Sequence, residues 1–356
     1  MRLLVTGGAG FIGRRVVTAA LAAGHEVRVV DALLPGSHPA GATVSVPAGA
    51  EFIHGDLRDE GTVARVLRGV DVVSHQAAVV GRGREILDAR HHVGCNDMGT
   101  ATLLAAMTEA GISRLVLASS VVIYGASNYD CPAHGRVRPA GRTEADLAAG
   151  RYAPVCPACG AELVAVAVTE DDVPNPPRNV YAVTKLAQEL LCDAWATQTG
   201  GTATALRYHN VYGPDMSFAS PYSGVTATFR SAVLAGVAPE VYEDGAPTRD
   251  FIHVDDIVAA NMAALDRTGP GLRPFNIASG TPLSILDVAS ILAGIAGGPP
   301  PVVTGRFRVG DVRDIVASPD RAIRELDWRP RVHPDAGLKE FAEAPMRGGP
   351  GTKEAS

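Results

Sequence analysis

Leu3-Leu4-Val5-Thr6-Gly7-Gly8-Ala9-Gly10-Phe11-Ile12-Gly13 stands at the start of the chain, and its reading decides the fold. Three apolar residues have the length of a buried parallel strand. A glycine-rich turn follows, then a helix-like run over 14–23, a stop at Gly24, and a second strand over 26–30 ending on Asp31. Strand, glycine turn, helix, strand and acid, in that order, make a mononucleotide-binding unit. Glycines permit the tight turn and let the backbone approach a pyrophosphate, whose charge then faces the helix amino terminus. Asp31 lies 18 residues past Gly13, where a carboxylate can accept hydrogen bonds from an adenosine ribose. A 2′-phosphate there would be repelled, so NAD is favoured over NADP. A glycine trio alone is weak evidence; the strand, helix and acid in register give it its meaning.

Working outward, further βα units follow. Residues 51–57 read as a strand ending on Asp56-Leu57, placed to meet an adenine. Residues 70–74 form another, followed by His75-Gln76-Ala77-Ala78, and 115–118 a fourth, ending at Ser119-Ser120. Alternating units imply an α/β, doubly wound parallel sheet of the Rossmann kind, with ligands outside the carboxyl ends of its strands. The expected organisation is an NAD-binding domain over 1–207 with an insertion at 128–177, and a smaller substrate-binding part over 208–343. Some strands of that part return to the main sheet, and 344–356 forms a disordered tail.

The 356 residues are 46% hydrophobic and 20% charged, with a net charge of −6. Without a Lys/Arg cluster, nucleic acid is excluded as a partner. No apolar run reaches the ~20 residues of a membrane helix, and the amino terminus lacks a signal-peptide pattern, so a cytoplasmic protein is expected. Five cysteines, unevenly placed, are not a disulfide framework.

The glycine turn (Gly7, Gly10, Gly13), Asn96-Asp97-Met98-Gly99-Thr100, Ser119-Ser120-xxx-Tyr124-Gly125 and Tyr181-xxx-Lys185 occur in this order. Together they resemble the extended short-chain dehydrogenase/reductases, in their NAD-dependent nucleotide-sugar epimerase/dehydratase branch. The resemblance implies Ser120, Tyr181 and Lys185 as catalytic residues. For the cofactor it implies Gly7, Gly10, Phe11, Ile12, Gly13, Asp31, Asp56, Leu57, Ala77, Ala78 and Asn96, with Tyr181 and Lys185 again. Tyr181 and Lys185 are four apart and project from one helix face. A nearby ammonium and a nicotinamide cation are expected to lower the tyrosine pKa from about 10 toward working pH. Tyr181 then takes a sugar hydroxyl proton as hydride leaves for NAD.

By the same resemblance, Asn210 contacts a diphospho-sugar, Arg249 and Arg308 hold its diphosphate, Asp311 suits ribose hydroxyls, and Tyr222 lies over the nucleotide. Planar guanidinium groups pair phosphate oxygens bidentately, which makes two arginines chemically apt. Dehydratases of the branch carry Asp-Glu directly after the catalytic hydroxyl residue; here stand Val121 and Val122, which cannot shuttle protons. Oxidation at C4 and hydride return to the opposite face remain, which is 4-epimerisation. Residues 210–225 are similar to enzymes of the dTDP-L-rhamnose 4-epimerase type. His209 departs from the Phe or Gln common in the branch, which leaves a UDP-hexose or UDP-hexuronate 4-epimerase open. A 4-ketoreductase uses the same residues, and a non-catalytic nucleotide-binding regulator has no reason to retain all three. Helices over 100–110 and 180–197 are typical homodimer contacts of the family.

The insertion holds Cys131-Pro132-Ala133-His134 and Cys156-Pro157-Ala158-Cys159-Gly160, with 21 residues between the two pairs. That is the spacing of a tetrahedral, structural zinc site made of Cys131, His134, Cys156 and Cys159, the rivals being a redox pair and plain loop cysteines. The same element occurs in the rhamnose-epimerase-like group. Most of the other histidines are expected to be surface or packed residues.

Overall fold

The structure is a computed structural model; it describes all residues except 35–37, 39–45, 82–84, 140, 173–176, 178, 219–223 and 349–356. Tyr222, expected over the nucleotide, lies outside the described residues.

The Leu3-Leu4-Val5 run forms β1, Arg2–Thr6, and its alternation settles the layering. Leu3 and Val5 enter one buried cluster, with Val16, Val17 and Ala20 of helix α1, Phe11–Ala22. Leu4 enters another, on the opposite face, with Leu103 and Met107. A strand buried on both faces carries apolar residues at consecutive positions, as a parallel sheet demands. The remaining strands are β2 (Glu26–Asp31), β3 (Glu51–His54), β4 (Val72–His75), β5 (Arg114–Ser120), β6 (Thr202–Tyr208) and β7 (Gly271–Ile277). They form one parallel seven-stranded sheet in the order β7-β6-β5-β4-β1-β2-β3. The order reverses between β1 and β4, where Thr6 pairs with His75 and a crevice opens at the strand ends.

Two glycines make that turn possible. Gly7 has φ +66°, and a Cβ there would lie 2.7 Å from the Ala77 backbone; at Gly13 it would strike the Gly7 carbonyl. Both serve the close packing of turn, helix and neighbouring strand as much as ligand approach.

Helices α2 (Glu60–Val66), α3 (Gly99–Glu109) and α4 (Val180–Thr199) cover the Leu4 face, and α5 (Val254–Leu265) joins α1 on the other. A third core gathers Tyr212, Phe229, Phe251, Leu292 and Phe341 into a smaller carboxyl-terminal lobe. The lobe is not a separate run of chain, because β7 returns to pair with β6 across all seven residues. Within the lobe a helix forms at Ile285–Ile295, with Ser284 and Asp287 making a reciprocal capping box.

Within residues 344–348, expected as part of a disordered tail, two side chains are held in place. Met346 is buried in the third core, and Arg347 forms a parallel bridge with Ser217. The composition of the tail hid one apolar anchor among its polar and glycine residues.

Candidate active site

One cavity of about 360 Å³ runs along the carboxyl ends of the sheet. Gly7, Gly10, Phe11, Ile12, Gly13, Asp31, Asp56, Leu57, Ala77, Ala78, Ser120, Tyr181 and Lys185 all line it. The groups expected to hold a dinucleotide and those expected to do chemistry therefore share one continuous wall.

At one end, Asp31 accepts from the backbone N–H groups of Ala9 (3.1 Å) and Leu33 (2.9 Å) and pairs with His38 at 3.4 Å. Burial pushes its carboxyl up, but these contacts outweigh burial and hold it below the usual range. His38, not singled out from sequence, is thus a pocket residue. Asp56 is clasped by Arg58, with Nε at 3.0 Å and Nη2 at 2.5 Å. Between them α1 begins at Gly10 with no side-chain cap, leaving its first N–H groups for a ligand.

At the other end, Ser120 closes β5, and Tyr181 and Lys185 lie on successive turns of α4. Asn179 starts that helix by accepting from Ala182 N–H at 2.9 Å. Lys185 donates to the Ala118 carbonyl at 2.8 Å, and burial lowers its pKa to about 8. The Ser120 hydroxyl favours ionisation of Tyr181, yet burial pushes the Tyr181 hydroxyl up to about 12. This corrects the expected direction: within the protein alone, desolvation of a tyrosinate outweighs the help of Ser120.

Asn96 lies behind the wall rather than on it. It is fully buried on a π-helical turn, Val93–Met98; its amide bonds the Val79 carbonyl and Thr184, and its oxygen takes the Val79 N–H. It fixes a lining residue to α4, which is its structural role.

Sequence reasoning passed over Glu189 and Arg207. Glu189 continues the Tyr181, Lys185 spacing by one more turn, so the four-residue period could have shown it. Arg207 donates to both its oxygens, at 3.0 and 2.8 Å, and Ser119 also bonds Glu189. The network continues through Arg207 to the Tyr124 hydroxyl and from there to Asn276.

Of the expected substrate residues that the structure describes, Asn210, Arg249, Arg308 and Asp311 do not line the cavity. Arg249 donates to the Thr248, Arg313 and Val312 carbonyls, and Arg308 lies over the Tyr242 ring at 5.1 Å. Asp311 sits in the same loop, its carbonyl taking Arg142 Nη2 at 2.6 Å. Asn210 is absent from the lining, although its neighbours His209 and Val211 contribute to it.

His209 is 4% exposed and neither ring nitrogen has a hydrogen-bond partner among the described residues. Burial lowers its pKa from 6.5 to about 3, and burial with the Lys185 charge does the same to His75. Each is neutral when folded and takes a proton on unfolding, so between roughly pH 6.5 and 3 acid favours the unfolded chain. Moving from pH 7 to 5 should cost about 2 kcal/mol per histidine. Urea midpoints at both pH values measure this, and His209→Phe should lessen the acid destabilisation by about 2 kcal/mol relative to wild type; an unchanged pH dependence would contradict the assignment.

The four insertion residues come together. Three short antiparallel strands, Asn128–Cys131, Gly135–Val137 and Val164–Val166, carry Cys131 and the turn with His134. Cys131 Sγ lies 3.5 Å from His134 Nδ1 and 3.7 Å from Cys159 Sγ, and Cys156 Sγ lies 3.6 Å from His134 Nδ1. All four ligand atoms fall within 4.8 Å of one another. The insertion packs against the carboxyl-terminal lobe, with Arg142 on Glu243 at 2.7 Å and Tyr129 on Asp314 at 3.1 Å.

A parallel sheet with its dinucleotide crevice running into a Ser, Tyr and Lys cluster defines a class, and sequence comparison agrees. The model of the NAD dependent epimerase/dehydratase family matches residues 3–145 and 158–278, and the chain belongs to that family. It is 34% identical to a dTDP-L-rhamnose 4-epimerase of Burkholderia thailandensis, over 96% of this chain and 93% of that one. Among solved structures, the UDP-glucose 4-epimerase of Thermus thermophilus in complex with NAD is 30% identical, with a TM-score of 0.77 over 96% of this chain and 98% of that one. That of Thermotoga maritima with UDP-glucose is 28% identical, with a TM-score of 0.79 and the same coverage. Among the described residues no helix is long and apolar enough to cross a membrane.

Proposed function

We propose that the protein is an NAD-dependent 4-epimerase of a nucleotide diphospho-sugar. The observation that carries this reading is the single cavity joining the glycine turn and Asp31 to Ser120, Tyr181 and Lys185. The residues fit NAD: open N–H groups at Phe11 and Ile12 face a pyrophosphate, and Asp31 retains lone pairs for ribose hydroxyls while repelling a 2′-phosphate. Asp56 and Leu57 would meet the adenine, and Ala77 and Ala78 leave room for the dinucleotide backbone. NAD supplies the hydride acceptor, and afterwards the donor, at sugar C4. Tyr181 takes the C4 hydroxyl proton and returns it, Ser120 hydrogen-bonds the same oxygen, and Lys185 supplies positive charge beside the tyrosinate. Both Lys185 and an oxidised nicotinamide act against the burial that holds Tyr181 protonated.

Val121 and Val122 support epimerisation over water elimination. They follow Ser120 in a short 3₁₀ turn, and Val121 packs in an apolar cluster with Ile123 and Val168. Neither valine side chain can move a proton at C5 or C6. The resemblance over 210–225 and the Burkholderia relative favour a dTDP-deoxyhexose such as dTDP-L-rhamnose, with Asn210, Tyr222, Arg249, Arg308 and Asp311 as substrate contacts. Arg249 and Arg308 must then exchange their present partners for phosphate oxygens on binding. The test is incubation with dTDP-L-rhamnose, UDP-glucose and UDP-glucuronate without added cofactor, read by NMR. A new C4 epimer supports the reading; NADH consumption on a 4-keto sugar without epimer replaces it by a ketoreductase.

The insertion fits structural zinc. Sulfur and nitrogen ligands held tetrahedrally by one zinc lie about 3.8 Å (S to S) and 3.6 Å (S to N) apart, and the present spacings are 3.7, 3.5 and 3.6 Å. A disulfide needs sulfurs about 2.05 Å apart. All four ligands come from the chain, so the metal shapes the flap and leaves no position for chemistry. One zinc per chain is expected on purification without chelator, and its removal should loosen the flap and raise KM more than it lowers kcat. Zinc-free protein with unchanged kinetics would overturn this.

A homodimer is also proposed. Val183 and Leu190, two turns apart on α4, are 47% and 60% exposed, beside Ile86, Leu87 and Met98. A monomeric mass in solution would overturn it.

A further inference from the structure

The carboxyl-terminal segment reaches back 338 residues to the glycine turn, where Arg347 Nη1 donates to the Ala9 carbonyl at 3.3 Å. Arg347 is held from several sides. Its N–H bonds the Met216 carbonyl at 3.0 Å, and its own carbonyl takes the Phe218 N–H at 2.9 Å. Nη2 bonds Ser217 Oγ at 3.0 Å, and the preceding Met346 is locked in the third core. The side chain is only part-exposed, and it lines the same cavity as Gly7, Gly10 and Phe11.

The charge at this place calls for an anion. Acidic residues are the usual complement of a helix amino terminus. The first turn of α1 has none, and no side chain caps it. It carries Arg14 instead, whose charge, after burial, helps lower the Arg347 pKa. Asp31 and Asp215 lie near enough to offset part of this positive charge. A cation anchored beside open helix N–H groups is pre-organised for a diphosphate, and little side-chain freedom remains to be lost on binding.

We propose that Arg347 is a cofactor-binding residue, its guanidinium facing the pyrophosphate of the dinucleotide held on the glycine turn. The inference rests on the NAD reading above. It makes the carboxyl-terminal segment part of the cofactor site and gives the enzyme a charge-based means of retaining NAD through repeated turnovers.

The test uses the full-length chain and its Arg347→Gln and Arg347→Lys variants. Calorimetry compares ADP-ribose, adenosine and dTDP, and the NAD retained on purification is assayed after heat release. Arg347→Gln should weaken ADP-ribose binding by roughly 10- to 100-fold, the range of a lost charge-assisted hydrogen bond. Adenosine binding should be unchanged, which also shows the variant is folded, and Arg347→Lys should recover most of the loss. Equal loss for adenosine and ADP-ribose would make Arg347 a structural pin and overturn the proposal. A loss confined to dTDP would assign the contact to the substrate and overturn it equally. Unaltered ADP-ribose binding in both variants would sink the proposal and leave the NAD reading intact. Wild-type protein that binds neither NAD nor ADP-ribose would sink both.

Discussion

Replacing Tyr181 by Phe should reduce turnover by about 10²- to 10⁴-fold, the contribution typical of a placed general acid–base group, and leave NAD bound. Only one oxygen is removed. The ring keeps its place beside His92, 6.3 Å away, and Lys185 keeps its bond to the Ala118 carbonyl. Loss of the hydroxyl's polar interactions should cost about 1 kcal/mol of stability, too little to unfold a domain of this size. Retained NAD with no turnover would therefore separate chemistry from binding. The measurement is C4 epimer formation by NMR beside NAD content after heat release. Activity within tenfold of wild type would mean another group takes the proton. Tyr124 is the other tyrosine of the motif region, but its hydroxyl is spent between Arg207 and Asn276, and burial pushes it up to about 12.

The second large effect is expected at the buried pair behind the site. Arg207→Met should destabilise the fold by about 3–5 kcal/mol, because it leaves Glu189 charged and buried without its bidentate partner. Both residues are at most 6% exposed, and Ser119 bonds the same carboxylate, so water cannot easily replace the guanidinium. The loss approaches the whole stability of a marginal protein. Arg207→Met with Glu189→Leu should recover much of it, since an apolar pair in place of a buried ion pair is often neutral. Urea denaturation of the two single variants and the double closes the cycle. A cost below about 1 kcal/mol for Arg207→Met would show that the pair is not structural. Since Glu189 is two turns from Tyr181 on α4 and Ser119 precedes Ser120, the surviving single variants should also show reduced kcat.

What could be read in the linear string is what lies close together along it. The glycine turn and Asp31 belong to one β-α-β unit, and Tyr181 and Lys185 to one helix, so their spacing alone carries their geometry. The zinc-like knuckles share that property; each Cys-x-x pair sits in one tight turn, and the structure had only to bring the two turns together. The alternation of apolar runs with helical stretches likewise gave the parallel sheet, since strands buried on both faces are apolar without interruption.

Other features depend on residues far apart in the chain and leave no periodic trace. Arg207 meets Glu189 across a helix and a strand, and Arg347 meets Ala9 from the opposite end of the chain. The upward pKa of Tyr181 is a property of burial, which no spacing encodes. The arginines expected on the diphosphate are engaged with carbonyls and a ring, contacts that no spacing announces. The sequence by itself determined the sheet, the glycine turn and the Tyr181–Lys185 spacing, because short-range geometry specifies them. Only the tertiary structure decided which charges are buried together, which tail residues are anchored, and which polar groups face the cavity, because those follow from desolvation and packing between distant segments.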